Sequence, residues 1–217
     1  MAKRMRQPQV TYPTDVVFAA ASYADRMNNG EYIKYSVAPD ENGKPQQTNR
    51  QLMDQALADQ NLLTQVDRDA GEQVRRFYHS LTFKILKGVR LSEFDNTAML
   101  IANKEEIVGN YDVAVAAALP SCHRRAVKRD QANAKIDFAR GGLIGKVGDK
   151  VKLTVEVVRC VFSQQYNVFF VTGITAEDQP VFFAFKKQVN MGDKMTVQGT
   201  VKAHRDNSTQ LNRVKVI

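Results

Sequence analysis

The stretches VKLTVEV (151–157) and MTVQGTVKA (195–203) alternate apolar and polar residues without a break. Alternation with a period of two predicts β-strands that have one buried face and one face in water. Between these two strands lies a run rich in aromatic residues, from Tyr166 to Phe185. The fold prediction therefore starts from the C-terminal third of the chain, and the other segments are interpreted around it.

Polar turn sequences divide this C-terminal third into five strands. The predicted strands cover residues 150–161, 166–174, 181–185, 194–204 and 211–217. Gly199, in the middle of the fourth strand, is typical of a bend where a small barrel turns a corner. Five short strands with a long first strand predict a barrel of the oligonucleotide/oligosaccharide-binding (OB) type.

The residues before the barrel carry apolar side chains at the three-to-four-residue spacing of amphipathic helices. Helices are predicted over residues 14–29, 49–66, 67–87, 92–101 and 105–119, and a last basic helix begins after Pro120. The aromatic residues of this part also fall at helical spacing, which core packing explains. The predicted fold class is α+β, with a mostly α-helical N-terminal domain followed by a small five-stranded OB-type β-barrel.

Changes in composition give the predicted domain boundaries. Residues 1–12 are basic and polar and are predicted to form a flexible arm. The helical domain follows over 13–138, a glycine-rich linker over 139–148, and the OB-fold domain over 149–217. The linker contains the run RGGLIG, after which the sequence pattern is of strand type.

The net charge of +8 is unevenly distributed along the chain. Residues 13–120 hold 11 basic and 15 acidic side chains, a balance of −4. Residues 121–140 hold 6 basic and 2 acidic side chains, and residues 141–217 hold 11 and 6. The positive charge therefore lies at the N-terminal tip, just before the barrel and in the barrel. A phosphate backbone is the commonest partner for such a distribution, and a solubilising surface is the other interpretation.

Four short pieces of the barrel sequence resemble a known family. They are VGDKV (147–151), GD (192–193), GTVK (199–202) and LNRVK (211–215). Together they look like the C-terminal OB domain of phage-type single-stranded-DNA-binding and DNA-processing accessory proteins, and the helical part carries no such resemblance. The resemblance implies a role in DNA replication or recombination. The expected location is the cytoplasm, or the host's cytoplasm for a viral protein, because the two cysteines are interpreted as the reduced thiols of an intracellular protein.

The second and third strands of an OB domain, with the adjoining loops, form its usual binding face. If Val168 and Phe170 face inward, Phe169 is outward on the second strand, and Phe182 is outward on the third. Tyr166, at the strand entry, is a third aromatic candidate. Exposed aromatic rings stack nucleobases, and each stacked base contributes roughly 1–3 kcal/mol. These three residues are the predicted base-stacking platform.

Lysine and arginine side chains neutralise phosphates without sequence preference, so binding through them weakens as salt increases. The predicted phosphate-binding residues on the barrel are Lys152, Arg159, Lys186, Lys187, Lys202, His204, Arg205, Arg213 and Lys215. A second group, on the helix before the barrel, comprises Arg124, Arg125, Lys128 and Arg129.

Several classes of function have no support in the sequence. The three histidines lack partners at metal-ligand spacing, and the two cysteines lie far apart and are interpreted as reduced thiols. No phosphate-binding loop, no nucleophile elbow and no carboxylate cluster is present. No apolar run approaches the roughly 20 residues that cross a bilayer. We therefore expect a non-enzymatic protein with no cofactor, no metal and no membrane partner.

The sequence thus predicts a protein that binds single-stranded nucleic acid, with DNA favoured and RNA open. Replication or recombination proteins and a second copy of the chain are the other expected partners. Two alternatives stay open: a protein–protein adaptor of a replication or transcription complex, and a double-stranded DNA or RNA binder that uses the basic helix 124–129. Phe169 and Phe182 also have a simpler interpretation, in which they pack against the helical domain.

Overall fold

The computed structural model describes residues 10–35, 43 and 46–217, so most of the predicted arm lies outside the described residues. The chain divides into two compact units, of which the first ends at Ala126 and the second covers Val127–Ile217. This division lies within the last helix, whereas the sequence placed the end of the helical domain at residue 138. The first unit is mainly helical and the second holds a closed five-stranded barrel, which confirms the predicted fold class.

Six α-helices lie in the described part of the chain, the last of which spans the division between the units. They are α1 (Thr14–Met27), α2 (Asn49–Ala58), α3 (Gln65–Leu86), α4 (Glu93–Ala102), α5 (Asn110–Ala116) and α6 (Leu119–Phe138). Thr48 and Thr64 begin α2 and α3 with capping boxes, in which each hydroxyl accepts a backbone N–H and the residue three positions later bonds back. Local capping therefore fixes where two of these helices start.

Helix α1 is the centre of the helical unit. Its core residues are mostly small, and four alanines (Ala19, Ala20, Ala21 and Ala24) are at most 1% exposed. Small side chains allow α2 and α3 to approach closely on both sides. At Gly71 of α3 an added Cβ would lie 2.6 Å from the α1 backbone, so only glycine fits this crossing. The alanine-rich sequence of α1 therefore determines how tightly the unit packs.

Two predictions of local structure are wrong. A short antiparallel pair joins β1 (Thr11–Pro13) to β2 (Glu106–Val108), so part of the predicted arm and part of the predicted helix 105–119 are strand. This pairing places Ile107 fully in the core, which favours it over continued helix. Pro120, predicted to close a helix, instead lies in the first turn of α6, where its missing N–H costs little.

An ion pair between the half-exposed Arg26 and a buried carboxylate joins α1 to α3. Arg26 donates from Nε and Nη2 to the two carboxylate oxygens of Asp67, at 2.8 and 3.0 Å. The carboxylate is 1% exposed and also accepts the backbone N–H and the hydroxyl of Thr64, at 2.9 and 2.6 Å. Burial alone would raise the pKa of Asp67, but the hydrogen bonds from Arg26 and Thr64 outweigh it and hold the pKa below its usual value. Folding therefore favours the charged carboxylate.

We predict that Asp67→Ala lowers the free energy of unfolding by about 2–3 kcal/mol at neutral pH, because it removes several charge-assisted hydrogen bonds. The folded pKa is below the unfolded one, so this stabilisation is complete above about pH 5 and is lost as pH falls through the folded pKa. Urea unfolding followed by circular dichroism measures the difference. Asp69→Ala, on the exposed side of the same helix, is the control and should change it by less than about 0.5 kcal/mol. An Asp67→Ala effect that does not shrink in acid would contradict the prediction.

Five strands form the barrel of the second unit. They are β3 (Lys150–Ser163), β4 (Val168–Thr175), β5 (Pro180–Phe185), β6 (Lys194–Arg205) and β7 (Ser208–Val216). The strands close in the order β3-β4-β5-β7-β6, with a parallel contact between β5 and β7 and antiparallel pairing elsewhere. This is the small closed barrel of OB type that the alternation predicted. Gly199 lies where the pairing of β6 with β7 shifts register, as expected for a bend.

The barrel interior is filled mainly by valine. Its fully enclosed side chains come from all five strands, and β-branched residues suit this pleated surface because they pack well across strands. The buried cluster is Val155, Val157, Val171, Val181, Phe183, Val197, Val201 and Leu211. Successive side chains of a strand point to opposite faces, so each buried residue places its neighbours in sequence on the outer surface.

The segment predicted as a linker (139–148) is part of the barrel unit. The backbone N–H of Gly141 donates to the carbonyl oxygen of Asp178 at 3.0 Å, and the side chain of Gln179 donates to the carbonyl of Gly141 at 3.1 Å. An added Cβ at Gly141 would lie 1.8 Å from the carbonyl oxygen of Glu177. The segment is therefore held against the β4–β5 turn by backbone contact that requires glycine.

We predict that Gly141→Ala destabilises the barrel unit by about 2 kcal/mol or more, because its methyl group overlaps the backbone of the β4–β5 turn. Gly142→Asn is the matched control. Gly142 has open space around it and a positive φ of 77°, a conformation that asparagine tolerates. Thermal unfolding of both variants tests this, and equal melting temperatures would show that the segment yields without cost.

Candidate nucleic-acid interface

The outer face of β4 and β5 carries a stacked aromatic pair. Val171 and Phe183 are fully buried inside the barrel, so Phe170 and Phe182, their neighbours in sequence, face outward. The two outward rings have centroids 5.6 Å apart and planes inclined by 29°. Phe182 lies opposite Thr172, two residues along the strand from Phe170, which places the rings diagonally across the strand pair. The second and third barrel strands therefore present a continuous aromatic surface.

The predicted orientation of Phe169 is wrong. Phe169 faces the barrel interior, where it packs against the core and its ring centroid lies 5.0 Å from that of Phe162. Phe170 takes the outward position that the sequence assigned to Phe169. The error arose because β4 is apolar on both faces: Ile174, assigned inward, faces outward and lines a groove with Phe138 of α6.

Tyr166 extends the aromatic surface towards the β3–β4 turn. Its ring is 61% exposed, and its centroid lies 6.1 Å from that of Phe170 with the planes inclined by 64°. Val161 on β3 and Ala184 on β5 flank Phe170 in the cross-strand register, and both are exposed. Tyr166, Phe170 and Phe182 therefore form one aromatic face, which has an apolar border.

Arg159 lies beside this aromatic face. It is opposite Thr172 in the pairing of β3 with β4, and Thr172 is in turn opposite Phe182. A register shift between Val157 and Arg159 adds one residue to β3 at this point, and Arg159 is exposed. The strand registers thus bring one of the predicted phosphate-binding residues next to the outward rings.

The other predicted cations of the barrel lie at the end of β5 and on β3, β6 and β7. Lys186 and Lys187 are exposed and directly follow β5. Lys152 and Lys215 flank Gln198 in a row across β3, β6 and β7. This row shares no strand with Phe170 and Phe182, which lie on β4 and β5.

The remaining barrel candidates are on β6 and β7. Lys202, Arg205 and Arg213 are exposed, whereas a ring nitrogen of His204 lies 3.1 Å from the carbonyl oxygen of Gly145. The basic side chains therefore surround the barrel, and the aromatic rings are concentrated on one side of it. A bound strand would meet positive charge from several directions but aromatic rings on one face.

Arg124 is an internal support of the helical unit. It donates from Nη1 and Nη2 to the two carboxylate oxygens of Asp25, the second bond at 2.8 Å, and from Nη2 to the carbonyl oxygen of Gly30. The carboxylate of Asp25 is only 11% exposed. The hydrogen bond with Asp25 raises the pKa of Arg124, although burial opposes this. Arg124 is therefore engaged in the fold, while its side chain stays 42% exposed, and its role in phosphate binding stays a prediction.

The other members of the predicted 124–129 cluster follow Arg124 on the same helix, α6. Arg125 donates to Sγ of Cys122 at 3.2 Å, and Nε of Arg129 lies 3.8 Å from a carboxylate oxygen of Asp130. Lys128 is exposed and belongs, like Arg129, to the second compact unit. All four candidates lie on one continuous helix, and their role in phosphate binding stays a prediction.

Phe170 is the functional candidate that sequence reasoning missed. Ser163 and Val168 are opposite each other in the strand pairing, so four residues form the β3–β4 turn. Asn167 closes this turn with a left-handed φ of 50°, a conformation that asparagine adopts readily. This turn determines where β4 begins, but the inward face of β4 follows from the burial of Val171 in the core.

Comparison of the chain with models of protein families, with curated proteins and with solved structures found no match. Among the described residues, no three histidine, cysteine, aspartate or glutamate side chains are grouped to hold a metal ion. In the same residues, no helix combines the length and the apolar character needed to cross a membrane.

We predict that Arg124→Ala lowers the free energy of unfolding by about 1–3 kcal/mol, because it leaves the buried carboxylate of Asp25 without its hydrogen-bond donors. Arg125→Ala removes an exposed guanidinium next to it in sequence and should cost less than about 0.5 kcal/mol. Urea unfolding of both variants tests the assignment. Equal stabilities of the two variants would show that Arg124 does not support the fold.

Proposed function

We propose that this protein binds single-stranded nucleic acid, preferably DNA, on the aromatic face of its OB-type barrel and without catalysis. The observation that carries the proposal is the outward stacked pair, Phe170 and Phe182, with Tyr166 beside it. Aromatic rings on the second and third strands of an OB barrel are where bases of a single strand stack. The three rings lie side by side on the outer face of these two strands, where successive bases of a single strand can stack on them.

The charges near the aromatic face support the same proposal. Arg159 lies in the outer cross-strand row that contains Phe182, and Lys186 follows the strand that carries this ring. None of the six outward residues in the two central rows is acidic: Arg159, Val161, Phe170, Thr172, Phe182 and Ala184. A phosphate backbone can therefore pass the rings without meeting a carboxylate in these rows, and the surrounding lysines add long-range attraction.

The biological process that we propose is phage-type DNA replication or recombination, in the cytoplasm of the cell. Its support is the resemblance of the barrel sequence at residues 147–151, 192–193, 199–202 and 211–215 to accessory proteins of that kind. In this proposal the barrel supplies the contact with DNA, and the helical unit supplies contacts with replication or recombination proteins or with a second copy.

A protein–protein adaptor is the second candidate function. The observation that favours it is the apolar border of the aromatic face, where Val161 is 45% exposed and Ala184 is also exposed. Aromatic residues together with an arginine are typical of the centre of a protein interface as well. The two candidates differ in salt dependence, because phosphate binding releases counterions whereas an apolar protein contact does not.

We predict that Phe170→Ala/Phe182→Ala weakens binding of a fluorescent single-stranded oligonucleotide by roughly 2 kcal/mol or more, about 30-fold, because two stacking rings are lost. Fluorescence anisotropy measures the affinity, and circular dichroism confirms that the variant is folded. Tyr111→Ala removes an aromatic ring that is 70% exposed in the helical unit and serves as the matched control. A folded double variant that binds as tightly as the wild type would contradict stacking on this face.

The same measurement at about 50 and 200 mM salt separates the two candidate functions. We expect the affinity of the wild type to fall steeply as the salt concentration rises. Arg159→Ala should make the slope of log K against log salt shallower by about the amount that one phosphate contact contributes. A single strand should also bind more tightly than a duplex of equal length, whose bases are already stacked. Absence of salt-sensitive binding to any oligonucleotide would favour the adaptor.

A further inference from the structure

A cleft of about 540 Å³ opens at the end of the barrel where β3 ends and β4 begins. Its walls include two phenylalanines from these strands, Phe162 and Phe169, and part of the β5–β6 connection, from Gln188 to Met191. The volume is within the range of about 300–1,000 Å³ that small-molecule sites occupy. The cleft lies on the inner side of the strands whose outer side carries the aromatic face.

The cleft has an aromatic wall. Phe162, Phe169 and Phe185 are opposite one another in the strand registers and form a row on the inner side of β3, β4 and β5. Phe169 and Phe185 pack against the barrel core, whereas Phe162 is 52% exposed. Core packing therefore accounts for two rings of the row, and the third presents a free ring surface at the cleft.

Two amide side chains, Gln188 and Asn190, line the cleft beside this wall. Neither amide makes a hydrogen bond within residues 10–35, 43 and 46–217, although the backbone N–H of Asn190 donates to Asp193 at 2.7 Å. An amide both donates and accepts, which matches the paired donor and acceptor groups on the edge of a nucleobase. Both residues are exposed, so their amides are free to pair with the polar edge of a flat ligand that stacks on the aromatic wall.

The cleft adjoins both the aromatic face and a pair of cations. Phe169 at the cleft and Phe170 on the outer face are consecutive residues, so their Cα atoms are about 3.8 Å apart. Lys186 and Lys187 directly precede Gln188 in the chain, and both are exposed. A strand that stacks on the outer face and continues past the β3–β4 turn therefore reaches a site with an aromatic wall, two amides and neighbouring positive charge.

From these four observations we infer that the cleft at the barrel end holds one nucleobase of the bound strand. The base stacks on Phe162, its polar edge is read by Gln188 and Asn190, and Lys186 or Lys187 contacts an adjacent phosphate. This inference rests on the proposed function and adds selectivity to it. Stacking on the outer face accepts any base, whereas hydrogen bonds from the amides distinguish one base from another.

The test compares the affinities of homopolymers of dA, dC and dT, each of about 12 nucleotides, which lies within the site sizes known for OB folds. The wild type should prefer one homopolymer over another by at least about fivefold, since a good amide pair discriminates to this extent. Gln188→Leu/Asn190→Leu should reduce the ratio to less than about twofold. The matched control, Gln198→Leu, replaces an exposed amide on β6 and should keep the wild-type ratio.

A second measurement uses only the wild type. An oligonucleotide that contains 5-iododeoxyuridine is photo-crosslinked to the protein, and mass spectrometry identifies the modified residue. Crosslinks at Phe162 or Met191 support a base in the cleft, and crosslinks confined to Tyr166, Phe170 and Phe182 overturn it. If the protein binds oligonucleotides but Gln188→Leu/Asn190→Leu keeps the wild-type ratio of homopolymer affinities, this inference alone is overturned. Failure of the wild type to bind any oligonucleotide overturns the proposed function and this inference together.

Discussion

The barrel depends on one irregularity in its longest strand. β3 pairs with both β4 and β6, and an extra residue at Val158 shifts its register against β4. Val157 faces the interior, while Val158 is 4% exposed and lines the groove that Lys135 and Phe138 of α6 also line. A bulge increases the local bend and twist of a strand, which a long strand needs in order to close a small barrel. After the bulge, Arg159 takes the outward position opposite Thr172.

The alternating pattern was sufficient to predict most of the fold. Each of the five strands was predicted within three residues of its bounds, because polar turns interrupt the strict alternation at every end. The start of α2 was predicted at its capping threonine, Thr48, whereas Thr64, which caps α3, lies inside the predicted helix 49–66. The strand Glu106–Val108 was missed because its pairing with Thr11–Pro13 joins residues almost a hundred positions apart. Local propensity carries no information about such a contact.

The candidate site was predicted less completely, and β4 shows the physical reason. A strand covered on only one face reveals its orientation through its polar residues, but VFFVTGI (168–174) is apolar on both faces. One of those faces points into the barrel, and the other carries Phe170 and Ile174. The pattern therefore predicted the position of the strand correctly but exchanged its inward and outward faces. In β5, exposed Ala184 and buried Val181 and Phe183 differ enough in size to give the correct orientation of Phe182.

The distribution of rings and charges has a consequence for the kind of nucleic acid that fits. Cations spread around the barrel attract any phosphate backbone and do not distinguish a single strand from a duplex. The aromatic face does distinguish them, because only an unpaired strand can turn its bases onto Phe170 and Phe182. Removing the rings should therefore affect the preference for single strands more than it affects the attraction itself. Selectivity for single strands therefore comes from Phe170 and Phe182, which the barrel core orients outward. The lysines contribute to the association rate and to the affinity for any phosphate backbone.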